Sequence, residues 1–588
     1  MNYGEKMEAQ TNKSKQTENI EKIKYLWEKE YQKRKVDSNK IKNITSKWKE
    51  QYKDKIIKKE LKLDEYTNTL NTEGVTSYLT YFLERESEYC GYSRGGNSFQ
   101  YMISKNNIDN KNNYKPGTYY IVKDLLDNGD KDKEEATKEE AEKVFKDKLI
   151  PLLHKATEVD SIQKAVDFEK QDIYKIFKAK QILLKIVVLN SLVSNEDDFK
   201  HNFLFIFKDT VIDNLYKYFI SDEENNSGYL EKNAEIFKKI KEILGISVSD
   251  CTSEVIRKIS DMLWDFEHSK DFVDEENPNV IYYGAPGTGK TYTVRKNILI
   301  ACQGNTSRYE WVQFHPSYTY EDFIEGIKPT GITENGSVKL ELVNGIFKEL
   351  CIRAKNDPEH KYYFIADEIN RANLSAVFGE VLSCIEPSYR DTNENHNLIK
   401  TQYSTIETKI INEQLETAKD DKKKEQIKKK VYFYDENTKE TKFGIPSNVY
   451  FIGMMNDVDK SIDSFDLALR RRFKWIRKDC DTEVVRDFLN EEDIKEESIE
   501  KYIKSIVSLN KFISDELKLG KSYEFGHSFF MKITYNKKNK EIEDEHKKNL
   551  FENYLKPTLT EYLRSLYDNE EVLKTNLDIA RDKFIKEE

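Results

Sequence analysis

The chain of 588 residues has no excess of positive charge, since 96 lysines and arginines stand against 106 aspartates and glutamates. A net charge of −10 gives no global attraction to nucleic acid, so any DNA contact requires a local basic patch. The chain also lacks a long apolar run. The longest, Ile182–Leu189, contains Lys185 and is too short to span a bilayer. Met1–Lys6 has no apolar signal core, and we expect a cytoplasmic protein with no membrane partner.

Cysteine and histidine are scarce and dispersed. The six cysteines show no paired spacing, and the eight histidines do not cluster. This distribution argues against a disulfide framework and a zinc site, and it fits a reducing compartment. With 34% charged and 12% aromatic residues, the composition is typical of a folded protein with a heavily solvated surface. The length predicts roughly three to four domain-sized units.

A complete phosphate-binding loop is the most informative pattern that is present. An apolar strand from Ile281 runs into a segment with the glycine, lysine and threonine positions of the GxxxxGKT pattern. Backbone N–H groups of such a loop turn toward phosphates, and the dipole of the following helix favours negative charge. Lys290 is predicted to reach the β- and γ-phosphates, and the Thr291 hydroxyl to bind Mg²⁺. The predicted nucleotide-binding residues are Gly284, Ala285, Pro286, Gly287, Thr288, Gly289, Lys290, Thr291 and Tyr292.

A second apolar strand, Lys361–Ala366, ends in the carboxylates Asp367 and Glu368. In a parallel α/β sheet, the carboxyl end of a buried strand lies beside the bound phosphates. There Asp367 is predicted to hold Mg²⁺, and Glu368 to polarise the attacking water. Asp367 follows Lys290 by 77 residues, a spacing that fits one nucleotide domain.

A third apolar strand, Asn448–Gly453, leads to Asn456, whose amide is placed to bind the attacking water or the γ-phosphate. A helix over Asp466–Phe473 is predicted next, and it contains three consecutive arginines. One of them is a candidate arginine finger for a neighbouring subunit. The alternative is that these are surface arginines paired with nearby acids. The three residues are Arg470, Arg471 and Arg472.

Four segments together resemble the AAA+ motor subunit of McrB-type, modification-dependent (type IV) restriction systems. They are the phosphate-binding loop, Asp367–Asn373, Gly453–Ile462 and Ala468–Phe473. Three further stretches are similar to the family, and the resemblance spans about residues 279–567. These stretches are Phe314–Gly326, Tyr523–Phe530 and the lid segment Leu555–Tyr562.

The family carries the signature Met-Asn-Thr-Ala-Asp-Arg-Ser-Ile, which is linked to GTP use. The chain shares this signature at Met455, Asn456, Asp459, Ser461 and Ile462, and departs from it at Asp457, Val458 and Lys460. These departures leave open whether GTP or ATP is the substrate. The resemblance implies a catalytic contribution from Asp459, which with Lys460 shapes the surroundings of the attacking water.

The resemblance implies an α/β P-loop AAA+ core with a helical lid, preceded by a helical or mixed α+β amino-terminal recognition region. We expect a helical segment over residues 1–70, a recognition or effector domain over 71–265, the core over 266–478 and the lid over 479–588. It also implies a homo-hexameric ring, Mg²⁺ as cofactor, a McrC-like nuclease subunit as partner, and contact with modified or foreign DNA through the amino-terminal region.

Four local interpretations accompany this assignment. Lys13–Leu63 predicts an amphipathic helix or helical pair, and Gly91–Tyr101 a β-hairpin, with a ligand loop as the alternative. A charged insertion over about 391–445 predicts a helix in Lys419–Lys430 and then a hairpin; it is either a solvated protrusion or a contact with a partner or nucleic acid. Glu440 and Lys442 after Asp435 are the nearest match to a nuclease pattern, but such triplets arise by chance in so charged a chain, and we expect no nuclease activity.

Two other classes of protein share parts of this pattern. One is a MoxR-like or dynein-related AAA+ chaperone motor that remodels protein, and the other is a nucleotide-gated binding module with little turnover. The first does not account as well for the Met455–Ile462 block. The intact Glu368 and the arginine triplet argue against the second.

Overall fold

The computed structural model describes most of the chain, and its described residues form two compact units, Met1–Lys270 and Asp271–Glu588. In the part of the chain that the structure describes, no helix is long and apolar enough to cross a membrane. The described residues are 16–67, 77–91, 103–105, 118–122, 133–171, 180–196, 199–221, 227–269, 276–333, 336–392, 397–458, 467–492, 494–564, 567 and 569–586.

The amino-terminal unit is mainly helical, with one three-stranded antiparallel sheet. The strands are β1 (Ile103–Lys105), β2 (Tyr119–Val122) and β3 (Lys133–Ala136), in the order β1-β2-β3. The predicted helical pair is present over residues 16–31 and 38–57, while the predicted Gly91–Tyr101 hairpin lies beyond Gly91 outside the described residues. The later helices are Leu63–Tyr66, Leu79–Tyr81, Phe82–Glu86, Glu88–Cys90, Lys138–Val144, Phe145–Leu149, Ile150–Thr157, Ile162–Lys170, Lys180–Leu192, Asp209–Phe219, Tyr229–Leu244 and Ser253–His268.

The helix Lys180–Leu192 is a core helix of this unit, because every residue from Ile182 to Leu192 is buried. Its longest apolar run is fully buried and includes Lys185. The Lys185 ammonium donates a hydrogen bond of 2.8 Å to the carbonyl oxygen of Gly91. A buried lysine needs such a partner, since an unsatisfied buried charge is strongly destabilising. The run that is too short for a membrane span is therefore a core helix.

The carboxyl-terminal unit is built on a five-stranded parallel sheet. Its strands are β4 (Asn279–Gly284), β5 (Tyr309–Gln313), β8 (Tyr362–Asp367), β11 (Val449–Asn456) and β12 (Lys474–Arg477), in the order β12-β4-β11-β8-β5. The central strands are apolar on both faces, as expected of parallel strands covered by helices. In β11, Phe451 joins one core layer and Ile452 the opposite one. The α/β P-loop fold class is thereby confirmed.

Parallel pairing brings the ends of the three predicted catalytic strands to one edge of the sheet. Gly453 of β11 pairs with Ala366 of β8, and Asn456 pairs with Gly284 of β4. The phosphate-binding loop, the two carboxylates and the asparagine therefore follow three adjacent strands at the same edge.

Two antiparallel hairpins extend from this core. One joins β6 (Glu325–Ile332) to β7 (Val338–Asn344), and the other joins β9 (Phe433–Asp435) to β10 (Glu440–Lys442). The second is the hairpin predicted in the charged insertion, which also contains the helices Ser404–Thr417 and Asp421–Lys428. A buried ion-pair cluster anchors this insertion, because Lys348 lies 2.5 Å from Glu325 and 2.7 Å from Glu407.

The remaining helices of the core flank the sheet, and those of the lid form a separate apolar cluster. Core helices are Lys290–Cys302, Thr306–Arg308, Tyr320–Phe323, Ile346–Lys355, Ile369–Arg371, Leu374–Phe378, Gly379–Cys384, Pro387–Tyr389 and Leu467–Arg470. Lid helices are Thr482–Glu491, Glu496–Lys511, Phe512–Glu516, Lys521–Tyr523, His527–Phe530, Asp544–Leu550, Phe551–Leu555, Lys556–Arg564 and Glu570–Ile585.

Candidate nucleotide site

The phosphate-binding loop connects β4 to the helix Lys290–Cys302. Gly287 and Gly289 adopt positive φ angles of 77° and 73°, which glycine accepts without steric cost. Lys290 is buried, and its ammonium donates hydrogen bonds of 3.0 Å to the carbonyl of Gly284 and 2.8 Å to that of Ala285. The lysine thus lies across its own loop, close to the backbone that a phosphate chain would contact. Tyr292, predicted here as a nucleotide-binding residue, is 73% exposed.

Glu368 lies directly after β8 and is held from two sides. Its Oε2 accepts a hydrogen bond of 3.0 Å from Nε of Arg371, and its Oε1 lies 3.4 Å from Nδ2 of Asn456. Glu368 has a positive φ of 52°, a conformation uncommon for a residue with a side chain and characteristic of functional sites. The structure therefore brings together the predicted water-activating carboxylate and the predicted asparagine, which are far apart in the chain.

Asp367 ends β8, where its Oδ1 accepts a hydrogen bond of 3.1 Å from the backbone N–H of Glu368. Burial raises the pKa of Asp367, and the neighbouring Glu368 charge raises it further, whereas Lys290 opposes the shift. A nearby cation would relieve this unfavourable charge. The carboxylate of Asp367 and the exposed hydroxyl of Thr291 are hard oxygen donors of the kind that suits Mg²⁺. These two residues fit the predicted metal ion.

The three arginines lie in different environments. Arg472 is 14% exposed, with its Nε 2.9 Å from Oε1 of Glu386. Arg470 places its guanidinium 5.5 Å from the ring centroid of Trp475. Arg471 is 69% exposed and lies 3.7 Å from Glu386, a spacing worth little at the surface. Arg470 and Arg471 are thus the exposed members of the triplet; Arg470 lies over an aromatic ring, and Arg471 has one long contact with a carboxylate.

The helix predicted over Asp466–Phe473 is shorter than expected. It covers Leu467–Arg470, and the two following arginines lie in a turn before β12. Because β12 begins at Lys474 and pairs with β4, the chain must leave the helix early to enter the sheet. Asp459 and Lys460, along with Ser461 and Ile462, lie outside the described residues.

Asp457, one of the departures from the family signature, connects the core to the lid. Its Oδ2 accepts a hydrogen bond of 2.7 Å from the Ser522 hydroxyl and lies 3.3 Å from the guanidinium of Arg477. Asp457 is only 7% exposed. Sequence reasoning singled out neither Arg477 nor Ser522, because no local pattern marks a pair that meets only in the folded core and lid.

The lid also contacts the phosphate-binding loop itself. The backbone N–H of Gly526 donates to the carbonyl of Pro286 at 3.1 Å, and that of Ser528 donates to the carbonyl of Gly287 at 3.0 Å. The only signal in the sequence was the family-like stretch that contains these residues. The lid segment 526–528 is therefore part of the nucleotide site.

The Asp435 and Glu440 carboxylates of the charged insertion face each other across the β9–β10 hairpin, each with its own lysine. Lys442 lies 3.1 Å from Asp435, and Lys400 lies 2.8 Å from Glu440. The Lys442 hydrogen bond holds the pKa of Asp435 at about 2. Two ion pairs in a half-buried hairpin account for the arrangement, and the absence of nuclease activity stays a prediction.

A parallel sheet of this order, with a phosphate-binding loop after β4, acids after β8, an asparagine at the end of β11 and a helical lid, defines a P-loop NTPase of the AAA+ class. Residues 279–473 match the family model of the AAA domain (dynein-related subfamily), and residues 501–571 match that of the McrB alpha-helical lid domain. The carboxyl-terminal unit is therefore a McrB-type AAA+ NTPase module, which confirms the resemblance found in the sequence.

Two curated relatives belong to restriction systems. The chain is 38% identical over 256 residues to the type IV methyl-directed restriction enzyme EcoKMcrB subunit of Escherichia coli strain K12, covering 43% of this chain and 47% of that protein. It is 26% identical over 249 residues to the type II restriction enzyme BsuMI component YdiS of Bacillus subtilis strain 168, covering 38% of this chain and 65% of that protein. The chain thus spans less than two thirds of the length of each relative.

Proposed function

We propose that the chain hydrolyses GTP or ATP with Mg²⁺, assembles into a ring, and drives a partner nuclease against modified or foreign DNA. The observation that carries the nucleotide chemistry is the convergence of Lys290, Glu368 and Asn456 at one edge of the sheet. Glu368 is held within hydrogen-bonding distance of Asn456, so one group polarises a water molecule while the other orients it. The restriction role rests on the McrB lid match and on the two relatives.

Each residue has a defined task in this proposal. Lys290 leaves its loop carbonyls to contact the β- and γ-phosphates, and the loop N–H groups bind the same phosphate chain. Asp367 and Thr291 hold Mg²⁺, which when bound neutralises phosphate charge. Glu368 takes up the proton of the attacking water. Asn456 orients that water and senses the γ-phosphate, and Asp459 shapes its surroundings.

The arginine finger of the neighbouring subunit is Arg471 in this proposal. Its exposure supports this choice, because Arg472 is engaged with Glu386 and Arg470 lies over Trp475. A finger in trans makes turnover depend on assembly, and this dependence supports a ring, for which the family resemblance suggests a hexamer.

The nuclease is a separate subunit of the McrC type, and DNA is recognised through the amino-terminal unit. The choice between GTP and ATP leans slightly to GTP because of the partial signature. The competing function is a protein-remodelling motor, which the dynein-related family model favours. The lid match favours the restriction system instead.

Turnover and nucleotide binding, measured on the full chain, test the enzymatic core of the proposal. Lys290→Ala should abolish nucleotide binding. Glu368→Gln should bind nucleotide as the wild type does but hydrolyse it roughly 10²–10⁴ times more slowly. Competition between GTP and ATP on the Glu368→Gln variant measures base preference. Equal turnover in the wild type and in Glu368→Gln would refute the assignment of Glu368.

Cleavage of methylated and unmethylated DNA tests the biological role. The wild-type chain is combined with a McrC-type nuclease subunit, and Glu368→Gln serves as the matched control. We expect cleavage that requires both proteins and a hydrolysable nucleotide. Remodelling of a protein substrate, without any stimulation of a nuclease, would favour the chaperone motor.

A further inference from the structure

The lid segment 526–528 lies directly on the phosphate-binding loop. Gly526 and Ser528 donate backbone hydrogen bonds to the carbonyls of Pro286 and Gly287, while Lys290 occupies those of Gly284 and Ala285. Four successive loop carbonyls therefore accept hydrogen bonds from within the protein. The N–H groups of the loop are the groups left to meet a phosphate chain.

The fit between lid and loop is tight enough to need glycine on the lid side. A Cβ atom on Gly526 would lie 2.1 Å from the carbonyl carbon of Gly287, which no side chain can accommodate. The next residue, His527, is thereby placed above the loop. A Cβ atom built on Gly289 would lie 2.9 Å from Nε2 of His527. The Nε2 edge of the ring therefore faces the loop at the residue before Lys290.

The hydrogen-bond pattern of His527 fixes which ring nitrogen carries the proton. Nδ1 lies 3.4 Å from the backbone N of Asp481, and a backbone N–H only donates. Nδ1 is thus an acceptor, and the neutral ring carries its proton on Nε2. Burial lowers the pKa of His527; Asp481 opposes this shift and Lys290 adds to it. Among the described residues, the structure shows a hydrogen bond to Nδ1 of His527 and none to Nε2.

We propose that His527 is a phosphate-binding residue supplied by the lid, whose Nε2–H donates to an oxygen of the nucleotide's phosphate chain beside Gly289 and Lys290. The inference rests on the proposed nucleotide function and goes beyond the loop motif. It gives the lid a direct contact with the phosphates in addition to its contacts with the loop. A nucleotide that binds the loop thereby holds the lid segment in place.

Two amide variants separate this role from a purely structural one. His527→Gln places an amide donor near the position of Nε2, whereas His527→Asn retains a polar group near Nδ1, where the ring accepts from Asp481. His527→Ala removes both. Thermal unfolding of each full-length variant without nucleotide shows whether the lid still folds.

The readout is the equilibrium affinity of each variant for GTP, ATP and their diphosphates. A hydrogen bond to a charged phosphate oxygen predicts a loss of roughly tenfold or more in His527→Ala and His527→Asn. His527→Gln should stay within about threefold of the wild type. If His527→Ala fails to fold, the nucleotide affinities of His527→Gln and His527→Asn still show whether the ring binds phosphate through Nε2.

Two results would overturn the proposal. One is wild-type affinity in His527→Ala, and the other is rescue by Asn but not by Gln, which would assign the ring to its contact with Asp481. If the proposed nucleotide function itself is wrong, the result is different. The wild type then binds none of these nucleotides, and Lys290→Ala has the same lack of affinity as the wild type.

Discussion

The two edges of the central sheet both hold buried charged groups, but their partners differ. At the amino-terminal edge, Arg390 donates to the carbonyls of Ile385, Pro446 and Val449 and to Oδ1 of Asn279, at 3.0, 3.3, 2.5 and 2.6 Å. At the carboxyl-terminal edge, the buried atoms Oδ1 of Asp457 and NH2 of Arg477 have no hydrogen-bond partner among the described residues.

All three nitrogens of Arg390 donate to protein acceptors, whereas Asp457 and Arg477 pair with each other and still leave one buried atom each without a hydrogen bond. Buried polar atoms are nearly always satisfied in native proteins, and exceptions point to function or strain. Arg390 fastens the starts of β4 and β11, and burial lowers its pKa only to about 10, so it stays charged at neutral pH. Lys290, by contrast, donates to the Gly284 and Ala285 carbonyls and lies 3.4 Å from the Thr288 hydroxyl, all within the phosphate-binding loop. The Arg390 hydrogen bonds thus stabilise the amino-terminal edge, while the carboxyl-terminal edge holds the candidate nucleotide-binding residues.

The largest expected effect is on turnover, and it comes from an exposed residue near the amino-terminal edge of the sheet. Arg471→Ala should lower turnover by about 10³-fold or more, as for other arginine fingers, without changing nucleotide affinity or the free energy of unfolding. Arg472→Ala is the matched control; it should lower stability through the loss of its Glu386 contact and affect turnover less.

Mixing experiments test whether Arg471 acts in trans. Arg471→Ala combined with Lys290→Ala should recover part of the activity, because the second protein supplies its arginine to the intact pocket of the first. Specific activity of the wild type should also rise with concentration. Full activity in a demonstrably monomeric sample would contradict both the finger and the ring.

Arg390→Ala should produce the largest loss of stability. Without Arg390, several buried acceptors lose their hydrogen-bond donor. We therefore expect the free energy of unfolding to fall by about 3–5 kcal/mol. Urea unfolding of the nucleotide-free protein measures this change. Lys290→Ala is the comparison from the other edge, where we expect a smaller loss of about 1–2 kcal/mol because Lys290 donates to only two main-chain carbonyls. Similar losses at the two positions would break the distinction between the edges.

A smaller effect is expected at the contact between core and lid. Ser522→Ala removes the hydrogen bond to Asp457 and should destabilise the lid by about 1 kcal/mol. Hydrogen exchange of the lid helices should accelerate accordingly, with the sheet unchanged. Asp457→Asn should lose the Arg477 ion pair yet retain the Ser522 bond. Unaltered exchange in both variants would show that Asp457 does not hold the lid.

The smallest expected effect is a gain in stability, at Asp367. Burial raises the pKa of Asp367 above its ordinary value of 3.8, so stability falls as the pH rises above 3.8, and the full loss is present above the folded-state pKa. Asp367→Asn keeps the acceptor for the Glu368 N–H and removes that charge. It should raise the free energy of unfolding by roughly 0.5–2 kcal/mol at pH 7, while weakening Mg²⁺-dependent binding.

The pH dependence checks the sign of this last effect. Below the ordinary pKa the carboxyl group is protonated in both folded and unfolded chains, so the stability difference between Asp367→Asn and the wild type should shrink as the pH falls toward 3.8. Thermal unfolding in the presence of a chelator measures it. A difference that grows at low pH would contradict the burial of a charged Asp367.

Much of the nucleotide site was predictable because its chemistry is encoded locally. The loop needs glycines and a lysine at fixed spacing, and a buried parallel strand needs an apolar run that ends in polar residues. Both patterns can be recognised from adjacent residues of the sequence. The core fold and the convergence of Glu368 with Asn456 follow from them. The helix expected through Phe473 was wrong because strand pairing of β12 overrides local helix propensity.

The sequence by itself determined the phosphate-binding loop, the acids after β8, the asparagine after β11 and the class of fold. Only the tertiary structure distinguished Arg471 from its two neighbours, placed Asp457 against Ser522, and laid His527 on Gly289. The physical reason is sequence distance. A contact between residues more than sixty or two hundred positions apart leaves no periodicity in the chain, and its partners are chosen by how core and lid pack.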